Sequence, residues 1–354
     1  MLVTILATVF VLGVLVFIHE FGHFIAAKMV GIRVETFSIG YPPRLFGKKI
    51  GNTDYCISAI PFGGYVKMAG MIDESLDKEG LKGEPWEFQS KPVPHRMAAI
   101  LAGPLMNYVL AIAIFAGLVM FHGIGEISGD RIGSVIPDFP ATKAGIVPGD
   151  RIVAINGEKI DSWDEMTIII HNLPNRNITL EWEHEGTILS DTMTTRAEKA
   201  PIDGDIREIG LVGIGPELTM KKVGFFSAVG YGFDRTIYLT RLVYVSLKML
   251  VSGQESLKSI GGPVVIAKLA GESARSGFGS LLAFMAFLSL NLAFLNILPI
   301  PALDGGHLLF LLVEAVTRKP LSTKVRVVIQ QVGMAILLAL MVFVVINDVK
   351  NVFF

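Results

Sequence analysis

The sequence predicts a polytopic α-helical membrane protein in which one soluble α+β domain separates two pairs of spans. Three observations carry this reading. The 354-residue chain is 51% hydrophobic and only 18% charged, more apolar than an ordinary soluble domain. Four apolar runs, Leu2–Ala27, Met97–Phe121, Leu281–Val313 and Val327–Ile346, are long enough to cross a bilayer. Between the second and third, residues 127–218 alternate polar and apolar as strands do.

Residues 1–30 form the first expected span. They have no charged start and no small-residue cleavage site, so a retained helix is expected rather than a removed signal. Leu2 to Ala27 covers about 39 Å, enough for a tilted span. Residues 31–95 follow as a loop rich in Lys and Arg. Within it, Ile57–Met68 is apolar and glycine-rich but too short to span. Strand-like residues on either side of Pro61 and Gly63-Gly64 suggest a re-entrant or membrane-associated β-hairpin, with a surface hairpin as the alternative. Residues 71–92 are polar and acidic and read as a soluble linker.

The second span is expected at 96–122 and the soluble domain at 127–218, with strands at Arg131–Ile136, Arg151–Ile155 and Ile178–Trp182. Ile155-Asn156-Gly157 supplies a hairpin turn. Together with Ala141–Gly145 and Gly149-Asp150, it resembles the PDZ domains of bacterial proteases. Residues 223–277 form an amphipathic connector. Asp234, Arg235, Arg241 and Lys248 favour an interfacial helix there, and a fifth span is the alternative. The third transmembrane segment is placed at 280–313, interrupted by Pro299 and Pro301, and the fourth at 326–348.

Lys28, Arg33, Arg44, Lys48, Lys49, Lys67, Lys91 and Arg96 precede the second span, and Arg318, Lys319, Lys324 and Arg326 precede the last. The positive-inside rule puts both segments in the cytoplasm, leaving both termini and the soluble domain outside. Basic and acidic residues nearly cancel, 31 against 32, so nothing points to nucleic acid. Cys56 is the single cysteine, which excludes an intrachain disulfide and any cysteine-rich zinc module.

Chemistry concentrates at His19-Glu20-Phe21-Gly22-His23, inside the first span. Imidazoles at i and i+4 share one helix face, with a carboxylate beside them, as in metallopeptidases. Ionisable groups in hydrocarbon are costly and mark function. Two imidazoles need a third ligand, and Asp304 is the only acid between Ser280 and Val313. Its depth matches: His19 lies about 26 Å along its helix from the external end, and Asp304 lies toward the cytoplasmic end of its segment. His307 competes for the ligand role, although a supporting position suits it better. Asn291, Asn296 and the mid-membrane Asn107 read either as helix-packing residues or as site residues.

In order along the chain, the His-Glu motif, Phe62–Met68, Ala102-Gly103-Pro104, the PDZ-like region and Asn291…Asn296…Pro299…Asp304-Gly305 resemble the site-2 protease family of intramembrane zinc metalloproteases, bacterial regulator-of-sigma-E type. The resemblance implies Zn2+ on His19, His23 and Asp304, with Glu20 as the base. It also implies substrate contacts at Gly63, Gly64, Asn291, Asn296 and Pro299. Implied substrates are single-span membrane proteins, such as anti-sigma factors or signal-peptide remnants, cut in a bacterial cytoplasmic membrane after external trimming. The active site would lie in the cytoplasmic half of the bilayer, and the PDZ-like domain would take a peptide C-terminus. Well-known proteobacterial members have two PDZ domains, whereas this chain has room for one. Two rivals stand beside this reading. One is a non-proteolytic PDZ-bearing scaffold with a vestigial metal site. The other is a metal transporter, which predicts more intramembrane ligands than the chain offers.

Overall fold

The computed structural model describes residues 1–71, 83–202, 205–256 and 261–353. The chain divides into two units, Met1–Gly117 with Val229–Phe354, and Leu118–Ala228. Asp73, Glu74, Asp77 and Glu79, four of the acids of the expected linker, lie outside the described residues.

The first apolar run folds as α1, Leu2–Met29. Ala7, Val11, Leu15, His19, His23 and Ala27 repeat every four residues and make its buried stripe, which includes both imidazoles. The remaining faces expose Leu2, Ile5, Leu6 and Phe10. Uncovered apolar area of that kind suits lipid rather than water.

Strands β1, Val34–Ile50, and β2, Thr53–Met68, form a two-stranded sheet. Its register differs from a simple hairpin around Pro61. Phe37 pairs with both Val66 and Tyr55, and Ile39 with both Gly64 and Ile57, so β1 lies between the two arms of β2. Gly47, farther along β1, pairs with Cys56 and closes a second hairpin at Gly51-Asn52. Val34, Phe37 and Ile39 are β-branched or aromatic and fit a central position. Helix α2, Val93–His122, then carries Pro104 inside it.

In the second unit, β3 (Ile124–Val135), β4 (Arg151–Ile155), β5 (Glu158–Lys159), β6 (Asn177–His184), β7 (Thr187–Thr194) and β10 (Ile214–Lys221) form one sheet. The order is β10-β3-β4-β6-β7, with β5 on β4, while β8 (Arg196–Ile202) and β9 (Asp205–Leu211) pair apart. Helices α3, Pro140–Lys143, and α4, Trp163–His171, complete it. Asn156 and Gly157 both take positive φ, 51° and 83°, as a tight hairpin between β4 and β5 requires. Ile132, Ile152, Ile178, Leu180 and Trp182 fill the core from alternate strand positions.

The described residues of 223–277 contain two helices, α5 (Phe225–Val251) and α6 (Pro263–Arg275). The third apolar run is likewise divided, into α7 (Phe278–Ile297) and α8 (Asp304–Thr317). The prolines explain the interruption, since Pro299 and Pro301 lack the N–H a continuous helix needs. Helix α9, Thr323–Phe353, closes the chain. Among the described residues, α1, α2, α7 and α9 are long and apolar enough to cross a membrane, and α5 is not in that set. Buried residues of α1, α6 and α7 form a common core through Ala7, Val11, Leu15, Ala270, Leu281 and Met285.

Candidate active site

Helix α1 presents His19 and His23 one turn apart, with ring centroids 4.8 Å from each other and planes at 83°. Asp304, the first residue of α8, meets them. Its Oδ2 lies 3.1 Å from His19 Nε2 and its Oδ1 3.4 Å from His23 Nε2. The two Nε2 atoms are 3.2 Å apart. Among the described residues, this is the one grouping of three His, Cys or acidic side chains with ligand atoms close enough to share an ion.

Glycine makes the approach possible. A Cβ on Gly22 would overlap the Ala102 carbonyl, and one on Gly103 would overlap the His23 imidazole. α1 and α2 therefore cross in close contact, as small residues allow in membrane helices. The crossing puts His23 Nδ1 2.8 Å from the Ala99 carbonyl. A carbonyl only accepts, so Nδ1 carries the proton and Nε2 turns its lone pair inward.

His19 is oriented from the other side. Its Nδ1 lies 3.3 Å from Asn107 Nδ2, and Asn107 Oδ1 is buried without a hydrogen-bond partner. With the amide turned so that Oδ1 faces the ring, it accepts Nδ1–H and the orphaned oxygen is satisfied. Ser289 Oγ donates to the Asn107 carbonyl at 2.8 Å and ties α7 to α2 there. Asn296 Nδ2 lies 3.4 Å from His19 Nε2.

The carboxylate is aimed by the break before α8. Leu303 N–H donates to the Ile300 carbonyl at 3.1 Å, and Ala302 has φ 72°. With Pro301 at the second position, this is the pattern of a type II turn. A Cβ on Gly305 or Gly306 would strike the carbonyls of Leu298 or Ile300, so Asp304-Gly305-Gly306 folds the new helix tightly against the turn.

Two imidazole lone pairs and a carboxylate thus converge, and the buried Asp304 Oδ2 receives no hydrogen bond. Such donors repel one another unless a cation lies among them. A two-nitrogen, one-oxygen set that leaves a fourth position open fits zinc.

Glu20 stands on α1 between the histidines. A Cβ on Gly64 would lie 3.3 Å from Glu20 Cγ and 2.8 Å from the Ser38 carbonyl, so β2 passes directly over the acid where it has no side chain. Gly63, at φ 138°, lies under the Tyr41 ring. Asn291 is not brought in: its Nδ2 donates to the Phe287 carbonyl of its own helix at 2.8 Å. Pro299 is exposed in the break. His307 also stands outside the cluster, with Nε2 3.0 Å from Gln330 Nε2. The Ala99 carbonyl escaped the sequence reading because a backbone acceptor has no sequence signal. Ser289, a polar residue in an apolar run, left only a faint one.

A convergent donor set with a carboxylate alongside is the equipment of a metallopeptidase. The chain belongs to peptidase family M50, whose model matches residues 7–340, and this membership bears out the site-2 protease resemblance. A relative from Clostridium perfringens is 38% identical over 337 residues, covering 95% of each chain. The regulator of sigma-W protease RasP of Bacillus subtilis is 30% identical over 424 residues, covering 99% of each. The zinc metalloprotease RasP of Shouchella clausii is 31% identical over 425 residues, again covering 99% of each. Among solved structures, the PDZ domain of an SdrC-like protein from Listeria monocytogenes covers 26% of this chain and 92% of its own, at 20% identity and TM-score 0.21.

Proposed function

We propose that this chain is an intramembrane zinc metallopeptidase that hydrolyses peptide bonds within the transmembrane segments of single-span proteins. The observation that carries the reading is the convergence of His19, His23 and Asp304 beside Glu20, in a unit of long apolar helices. The two Nε2 atoms and the Asp304 carboxylate hold the zinc. When bound, it polarises the scissile carbonyl and acidifies a water.

Glu20 accepts a proton from the attacking water and returns it to the leaving amine. Asn296 donates toward the carbonyl oxygen as charge develops there, while Asn107 holds the His19 ring. Helical substrates hide their carbonyls in internal hydrogen bonds, so a segment must unwind first. The strand at Gly63-Gly64 offers an edge for the unwound chain, and Asn291 and Pro299 flank its path.

Charge distribution puts the Lys/Arg-rich segments in the cytoplasm, with both termini and the PDZ-like domain outside. The β1–β2 sheet then enters the membrane from the cytoplasmic side, and the active site sits in the cytoplasmic half of a bacterial inner membrane. The PDZ-like domain docks a peptide C-terminus or filters by size, so substrates arrive already trimmed. RasP of Bacillus subtilis is named for regulation of sigma-W, and anti-sigma factors and signal-peptide remnants are the substrate class for this chain too. Zinc content of the purified Asp304→Asn chain tests the ligand set. Content near zero is expected, and one zinc per chain in that variant removes Asp304 from the site.

A further inference from the structure

Asp304 is held at the start of α8 by its turn, and the same helix is held again far from the site. Ten residues on, about 15 Å along the helix axis, Glu314 is gripped from two sides. Arg96 of α2 forks onto it, with Nη1 3.0 Å from Oε2 and Nη2 on Oε1. Arg326 of α9 reaches Oε2 at 3.4 Å. Gln89 Oε1 accepts from Arg326 at 3.2 Å and from Arg96 at 3.4 Å. Arg96 is 4% exposed and Arg326 8%, so this is an interior cluster rather than a solvated surface pair.

The contacts continue toward the site in register. Arg326, Gln330 and Gly333 lie on one face of α9 at i, i+4 and i+7. Opposite them, Arg326 takes Glu314 and Gln330 takes His307. A Cβ on Gly333 would overlap Pro301, in the turn that aims Asp304. α9 thus meets α8 at the cluster, again at His307, and meets the turn that aims Asp304 at Gly333.

We propose that Glu314, clamped between Arg96 and Arg326, is a positioning residue. It fixes the depth and rotation of α8 so that the Asp304 carboxylate meets both imidazoles. An ion cluster suits this role because its geometry is directional: the Arg96 fork on the Glu314 carboxylate, with Arg326 closing on Oε2, favours one register of the helix. The proposal rests on the metal reading given above.

The test uses the full chain purified in detergent, comparing wild type, Asp304→Asn, Glu314→Gln, Arg326→Gln and the Glu314→Gln/Arg326→Gln double variant. Co2+ affinity is measured by chelator competition, together with the visible spectrum of the bound Co2+ and single-span substrate turnover. Supporting partners of metal ligands commonly change affinity by about tenfold or more. Glu314→Gln is therefore expected to bind Co2+ about tenfold more weakly, with an altered spectrum and a lower kcat at unchanged KM. In the Glu314→Gln/Arg326→Gln pair, one cation leaves with the anion, and part of the affinity should return. Wild-type affinity and spectrum in folded Glu314→Gln would overturn the clamp, even if that variant melts earlier. If Glu314→Gln does not accumulate, Arg326→Gln, which leaves the Arg96 fork in place, is read instead: weakened affinity supports the clamp and wild-type affinity overturns it. Unchanged Co2+ affinity in Asp304→Asn would remove the metal reading itself, and the clamp with it.

Discussion

His23 directs Nδ1 at the carbonyl of Ala99, 2.8 Å away, and it does so across a helix crossing that Gly22 and Gly103 leave open. The backbone of α2 thereby fixes the ring's tautomer and aims Nε2 at Asp304. Gly103→Val should displace the imidazole and weaken zinc binding by about tenfold or more. Chelator competition on the purified chain measures this, and wild-type affinity would show that the ring tolerates the added side chain.

Asn107 bears on the other imidazole. Asn107→Ala removes the group beside His19 Nδ1 while creating little space, so the fold should persist. Zinc affinity is expected to fall about tenfold, in line with the loss of an orienting partner. If zinc affinity holds and only thermal stability drops, Asn107 is a helix-packing residue.

Gly64 separates metal binding from catalysis. The atoms nearest an added Cβ there belong to the Ser38 carbonyl, Val16 and Glu20, so a valine would press on the acid. Turnover of a single-span substrate should fall by at least about a hundredfold, the scale of a displaced general base, while zinc stays at one per chain. Zinc loss in Gly64→Val would mean the β2 edge supports the ligands rather than the acid.

Much of this site was legible in the sequence, because local spacing and rarity speak for it. His19 and His23 share a face by helix geometry, and Asp304 is the lone acid in its run. Asn156-Gly157 announces its turn for an equally local reason. What the sequence did not yield depends on contacts between distant segments. Phe37 pairs on both edges only because the chain returns at Tyr55 and again at Val66. Arg96 and Glu314 are 218 residues apart, and each alone reads as an ordinary charge at a helix end. Asn107 and Asn291 looked equivalent as polar residues in apolar runs. Rotation about their helices decides that one meets His19 and the other bonds its own backbone.

The second unit carries a pH-dependent contact. His184 donates Nδ1–H to Asp150 Oδ1 at 2.7 Å, and that bond raises the imidazole's pKa above its ordinary value. A raised folded-state pKa means the contribution to stability is full below the unfolded value of about 6.5 and is lost as pH rises through the folded one. His184→Gln should therefore reduce hydrogen-exchange protection of β4 and β6 at about pH 6 and match wild type at about pH 9. An equal deficit at both pH values would mean the ring acts by packing alone.

The most direct test of the central claim pairs two readings on one variant, Glu20→Gln, in proteoliposomes holding a single-span substrate. The account predicts one zinc per chain with cleavage lowered by about two to four orders of magnitude, the usual range for a lost general base. Cleavage near the wild-type rate with zinc in place would contradict it, because the water would then be activated by some group other than the acid between His19 and His23.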